Sequence, residues 1–249
     1  MKPYRHLPIA ECGEPLVPLA DTSVMLTEPA PYLALGAHYE DGTGPWYLRS
    51  GVRAALLEAA KSLHNRQPGW RLKLYDAYRP NSVQQFMVNH EFSLLSRGRA
   101  PDQLNPVERE HLWIRTYRIW AQPSDDPLTP PPHSTGAALD LTLADASGAE
   151  VDMGSPIDEN SDRSSPDHFA GLNGAAHGHR QLLLDVMTAA GFRRHPSEWW
   201  HFSLGDQLWA WLELQANPAQ SVIARYGRAD LLAAQSAAYF VITPRPTPV

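Results

Sequence analysis

The amino-acid sequence predicts an α+β fold, a small and mainly antiparallel sheet with helices packed around it. Two observations carry this expectation. Short segments with strict two-residue alternation, above all Ala137–Leu143, are spread along the chain. Between them lie longer runs whose apolar residues recur at helical spacing. At 249 residues the chain is long enough to bury a substantial core, and it shows no internal repeat, low-complexity segment or domain linker, so a single domain is expected.

Residues 1–47 read as a loose arm broken by prolines, with strand-like pieces such as Tyr32–Leu35. Residues 50–66 place Val52, Leu56, Leu57, Ala60 and Leu63 at helical spacing, and Pro68-Gly69 stops the run. Arg71–Ala77 alternates Leu72 and Leu74 with polar neighbours, a strand ending in the turn Tyr78-Arg79-Pro80-Asn81. Helices follow over Ser82 to about Ser96 and Pro106 to Trp120. Ser124–Pro132 is a stiff extended connector, because Pro130–Pro132 fixes φ. In the strand Ala137–Leu143, Leu139, Leu141 and Leu143 face one way and Ala138, Asp140 and Thr142 the other. Asp145–Gly148 turns into a short strand reaching Met153. Residues 154–175 are polar and aperiodic, a long loop of the kind often tied to function. Ala176–Ala190 is a helix capped by Gly191, and Trp199–Leu204 a strand with Glu198 at its mouth. Gln207–Gln215 and Ser221–Ser236 read as helices, and the tail from Thr243 as disordered.

Composition narrows the function. A formal charge of −6 and no evident basic face argue against a nucleic-acid partner. The one cysteine, Cys12, can form neither an internal disulfide nor a thiolate metal site, so any metal must use histidine and carboxylate. The first residues lack the apolar core of a secretory signal, and no stretch approaches the roughly eighteen apolar residues of a membrane span. A cytoplasmic protein with no membrane partner is the expectation.

Two motifs carry chemistry. His133-Ser-Thr-Gly-Ala-Ala-Leu-Asp140 and Glu198-Trp-Trp-His201 together supply two imidazoles, one carboxylate able to bind metal, and a second carboxylate beside the last ligand. That is the inventory of a hydrolytic zinc centre: three protein ligands, an open position and a general base. Asp140 sits on the polar face of an otherwise apolar strand, which is costly unless it is paired or metal-bound; the bland alternative is an arginine partner. Glu198 and His201 are three apart, opposite faces of a strand, so Pro196-Ser197 must turn the chain for both to reach one site. Arg79, after a strand end, can aim its guanidinium into a cleft to steady an oxyanion or can form a surface salt bridge. His177 and His179, with His168 nearby, are a weaker metal candidate, since residues two apart do not share a helix face.

Taken together, these two runs and Asp76-Ala-Tyr-Arg79-Pro resemble the zinc D-alanyl-D-alanine dipeptidases, which include the vancomycin-resistance D,D-dipeptidase and share a fold with D,D-carboxypeptidases and the hedgehog signalling domain. The likeness extends through Met153-Gly-Ser-Pro-Ile-Asp158 and Gly191-Phe192 and covers roughly residues 30–205, leaving an N-terminal arm and a C-terminal helical extension. The resemblance implies one zinc per chain at the sheet edge, held by His133, Asp140 and His201. It implies Glu198 as general base and later acid, Arg79 as transition-state stabiliser, and Asp158 as receiver of the substrate's free amino group. The expected substrate is a small dipeptide, foremost D-alanyl-D-alanine; Pro131 stands where the family usually has a serine that helps hold the substrate's amino end, a departure that bears on which dipeptide is taken. The alternatives are a peptidoglycan D,D-carboxypeptidase or amidase, and an inactive zinc-containing binding module.

Overall fold

The computed structural model describes residues 2–39, 43–172 and 174–230. In chain order the elements are β1 (Leu16–Pro18), β2 (Val24–Leu26), α1 (Pro31–Ala34), β3 (Tyr47–Arg49), α2 (Ser50–Arg66), β4 (Arg71–Asp76), α3 (Asn81–Ser96) and α4 (Pro106–Ile119). Then come β5 (Ala138–Ala144), α5 (Ala176–Ala189), β6 (Arg193–Arg194), β7 (His201–Ser203) and α6 (Gln207–Ala216).

The sequence expectation of a small, mainly antiparallel sheet is met. Five strands run in the order β2-β4-β5-β7-β6, with only β2 and β4 parallel, and β1 pairs with β3 in a separate two-stranded sheet. The alternation in β5 explains its central position. Leu139, Leu141 and Leu143 are fully buried and pack in one core with Leu56 and Leu63 of α2 and Leu183, Val186 and Met187 of α5. The opposite face is buried as well, which is why Asp140 has lost its water and must find partners. A second apolar cluster joins Tyr32 of α1, Val83, Met87 and Val88 of α3, and Trp120.

A short 3-10 turn, Pro132–Thr135, leads into β5, and Gly136 closes it at φ +69°. A Cβ at Gly136 would lie 2.3 Å from Leu16 Cδ2, so both the dihedral and the close approach of β1 require glycine. The polar 154–175 segment is a long loop, interrupted by a 3-10 turn at Asp162–Ser164. It is wrapped around Arg180 of α5, a side chain that is 1% exposed. Arg180 Nε donates to the Met153 carbonyl at 2.7 Å, Nη1 to Ser165 at 2.8 Å and Nη2 to Arg163 at 2.9 Å. Trp199 Nε1 reaches the same loop through Ser155 Oγ at 3.0 Å.

Three expectations are corrected. Tyr32–Leu35 is not strand-like: Pro31–Ala34 forms one helical turn, with a proline at its start where the missing N–H costs nothing. The strand after Asp145–Gly148 shrinks to a bridge between Ala144 and Glu150. No helix begins at Ser221: residues 221–228 are non-helical, and helical backbone appears only at Ala229 and Asp230, where the described residues end. Ala224 bridges Ile9, and the amides of Arg225 and Tyr226 are taken by the Gly205 carbonyl, so long-range pairing overrides local helix propensity. Residues 231–236 and the tail from Thr243 lie outside the described residues.

Candidate metal centre

Asp140 and His201 are directly opposed in the β5–β7 ladder, and Asp76 of β4 opposes Asp140 on its other side. The 3-10 turn before β5 brings His133 to the same place, and among the described residues His133, Asp140 and His201 form the one metal-capable group, with ligand atoms all within 4.8 Å. His177, His179 and His168 form no such group; His179 Nδ1 instead contacts the Asp152 carbonyl at 2.7 Å.

Hydrogen bonds on the outer side of each ring fix which nitrogen faces inward. His133 Nδ1 lies 2.7 Å from the Ala77 carbonyl, which can only accept, so that nitrogen carries the proton and Nε2 presents a lone pair. Ser203 Oγ donates to Asp206 Oδ2 at 2.8 Å and so accepts from His201 Nε2 at 3.4 Å, leaving His201 Nδ1 pointing inward. The inner atoms are 3.2 Å apart for His133 Nε2 to His201 Nδ1, 3.0 Å for His201 Nδ1 to Asp140 Oδ1, and 3.2 Å for His133 Nε2 to Asp140 Oδ2. Tetrahedral coordination at 2.0–2.1 Å requires ligand atoms about 3.3 Å apart, so the donor set fits a four-coordinate ion with one position left over.

The electrostatics agree. Burial, reinforced by Arg79, pushes His133 down to about 4 and keeps it neutral. Burial opposes charge on His201, but the hydrogen bond and charge of Asp140, together with the carboxylates of Glu198 and Asp206, outweigh this and raise its pKa, so the cluster attracts positive charge. Burial also opposes ionisation of Asp140, yet the two imidazoles hold its carboxyl well below the usual range.

Pro196-Ser197 makes the turn expected before β7 and brings Glu198 beside the donors. Glu198 is 4% exposed, and among the described residues its Oε1 has no hydrogen-bond partner. His195 Nδ1 lies 3.4 Å from that oxygen but already accepts the Ser197 amide at 3.2 Å, so it has no proton to offer. Burial pushes Glu198 up to about 6. A buried, unpaired carboxylate oxygen is expensive unless a ligand or water uses it.

Arg79 is buried rather than on the surface, and four of the five N–H groups of its guanidinium are engaged. Nε donates to Asp76 Oδ2 at 3.0 Å, Nη1 to Gln84 Oε1 at 2.9 Å, and Nη2 to Tyr32 Oη at 3.1 Å and Asp140 Oδ2 at 3.2 Å. Tyr32 Oη in turn donates to Asp158 Oδ2 at 2.8 Å, so Asp158 joins the same cleft, with its backbone at φ +64°. Burial pushes Asp158 up to about 7 and Asp76 up to about 8, the latter despite Arg79 beside it. All six sequence-predicted residues therefore meet at one cleft. Sequence reasoning missed Tyr32, Gln84, His195, Ser203 and Asp206. None has a spacing signal, because each reaches the site through the tertiary fold; only Asp76, inside the Asp76–Arg79 run, was visible.

The comparisons with known proteins agree with this geometry. A D-ala-D-ala dipeptidase family model matches residues 29–221. The chain is 46% identical over 242 residues to a D-alanyl-D-alanine dipeptidase from Synechocystis sp., covering 92% of this chain and 98% of that one. It is 34% identical over 151 residues to the Escherichia coli D-alanyl-D-alanine dipeptidase, covering 60% of this chain and 64% of that protein. Among solved structures, the LD-carboxypeptidase LdcB aligns with a TM-score of 0.45 at 18% identity, over 86% of this chain and 80% of that one. No helix of the described residues is long and apolar enough to cross a membrane. By the family match and the near full-length relative, the chain belongs to the D-ala-D-ala dipeptidase family and is an enzyme of the dipeptidase type.

Proposed function

We propose that the protein hydrolyses D-alanyl-D-alanine or a closely similar small dipeptide, with zinc held by His133, Asp140 and His201. The observation that carries this reading is the unpartnered, buried Oε1 of Glu198 beside three convergent donors. A purely structural zinc needs four protein ligands and no base, whereas here a coordination position is open and a carboxylate stands next to it. Two imidazoles and one carboxylate suit zinc better than a hard, all-oxygen cation.

Zinc in this site supplies Lewis-acid polarisation of the scissile carbonyl and lowers the pKa of water there to about 7. Glu198, ionised above about 6, takes one proton from the attacking water as the new C–O bond forms. As the C–N bond breaks, Glu198 returns that proton to the leaving nitrogen, so the products are an amine and a carboxylic acid, whose remaining water-derived proton is then lost to solvent at neutral pH. Arg79 adjoins the Asp140 carboxylate, with Asp76 and Gln84 fixing its plane, and offers positive charge to the developing oxyanion. Asp158, held by Tyr32, receives the substrate's ammonium group. Exclusion of a longer N-terminal chain is assigned to Asp158 and the 154–175 loop.

The test is metal analysis together with a panel of D- and L-dipeptides. We expect one zinc per chain and preferential cleavage of D-alanyl-D-alanine. Full hydrolysis by a zinc-loaded Glu198→Ala protein would overturn the mechanism.

A further inference from the structure

A dipeptide is a zwitterion, and the reading above provides for its ammonium end at Asp158 but not for its carboxylate. Arg79 bonds Asp76, Gln84, Tyr32 and Asp140, and the reading above gives its remaining charge to the oxyanion rather than to the carboxylate. The other cation lining the cleft is Lys2, at the start of the N-terminal arm. Among the described residues its ammonium makes no hydrogen bond or ion pair, although it is half-buried and close enough to Glu198 for their charges to interact. It also borders His195 and Ser197, on the Glu198 side of the metal donors, whereas Asp158 lies on the Tyr32 and Arg79 side. Two opposite charges, Lys2 and Asp158, thus line the cleft that holds the donor cluster, one for each end of a bound dipeptide.

The arm is built to hold that position. Residues 2–28 precede the stretch that matches the family, residues 29–221, yet they are tied down at several points. Tyr4 is 4% exposed and lines the same cleft. Gln207 Nε2 of α6 donates to the Leu7 carbonyl at 2.6 Å, and Arg5 Nη2 donates to the Thr129 carbonyl at 3.1 Å. Farther along, the amides of Ala10 and Cys12 donate to the carbonyls of Ala224 and Arg225 at 2.8 and 3.0 Å. Buried Arg49 joins Glu11, the Gly227 carbonyl and the Thr135 carbonyl beside His133, at 3.1, 2.9 and 2.7 Å. A segment that only trailed from the domain would have no such anchors.

We infer that Lys2 is the specificity-determining residue that receives the substrate's terminal carboxylate, and that the Lys2–His6 turn closes that end of the cleft to chains longer by one residue. This deepens the dipeptidase reading and rests on it. An ammonium–carboxylate contact of this kind is worth about 10- to 100-fold in binding.

The experiment compares wild type, Lys2→Gln and Lys2→Arg on D-alanyl-D-alanine and on its C-terminal amide. For the free acid, Lys2→Gln should raise KM about 10- to 100-fold with kcat changed less than about twofold, and Lys2→Arg should restore most of it. The amide should bind wild type as weakly as the acid binds Lys2→Gln, with no further loss in that variant. Affinity is also read by calorimetry on Glu198→Ala protein with and without Lys2→Gln, so the contact is measured even where turnover fails. Failure of all turnover would sink the dipeptidase reading; an unchanged KM and affinity for the acid, or equal losses for acid and amide, would sink the role of Lys2.

Discussion

At the scale of single residues the chemistry rests on a few groups held dry against their preference. Glu198 is the clearest: burial raises its pKa to about 6, and one of its oxygens has no partner. As pH falls through that value the carboxylate takes a proton and can no longer serve as base. The rate of the zinc-loaded enzyme should therefore fall with an acid limb near pH 6, seen in kcat/KM between pH 4 and 8. Glu198→Gln should retain zinc and lose about 10²- to 10⁴-fold in kcat, checked by metal analysis beside turnover. Arg79→Lys should cost about 10²- to 10³-fold in kcat, because a lysine cannot reproduce a planar fork that meets Asp76, Gln84, Tyr32 and Asp140 at once.

At the scale of elements, the polar 154–175 loop depends on α5. Its shape comes from Arg180, whose guanidinium takes the carbonyls of Met153, Arg163 and Ser165. Arg180→Leu would leave the Met153 carbonyl without its donor and take one of two donors from the carbonyls of Arg163 and Ser165, which keep the Ser155 hydroxyl and the His168 amide, so a loss of about 1–3 kcal/mol is expected in urea unfolding. A variant that kept full stability would show that the loop is held by other means. The loop was legible in the sequence as polar and aperiodic, but its organising residue was not. Arg180 lies in a helix whose pattern says only that one face is apolar, and nothing local marks a buried cation with distant carbonyl partners. The strand β5 was the opposite case. Its leucine alternation identified both the strand and the face opposite Asp140, because period two has one physical reading when it runs this cleanly.

At the scale of the whole molecule, three segments far apart in sequence converge on one ion site, so metal and fold should be coupled. Removing zinc by chelation should abolish activity and lower the thermal midpoint, and adding it back should restore both. Free zinc at about a thousandfold its Kd should add about 4 kcal/mol, read by calorimetry with and without metal. An unchanged midpoint would mean that the donors are held in place without the ion.

The metal-capable cluster and the neighbouring carboxylate were readable in the chain itself, since His133, Asp140, Glu198 and His201 stand in two compact motifs. Their chemical types and the turns at Gly136 and Pro196-Ser197 are local properties. The helices α2, α3, α4 and α5 were readable for the same reason, as each is set by its own periodicity. Only the tertiary structure decided which imidazole nitrogens face inward, that Arg79 is buried between two aspartates, and that the stretch around Ala224 pairs with the arm where the sequence suggested helix. Those outcomes depend on hydrogen bonds and desolvation between residues far apart in the chain, and no local pattern encodes where a distant carbonyl or amide will come to rest.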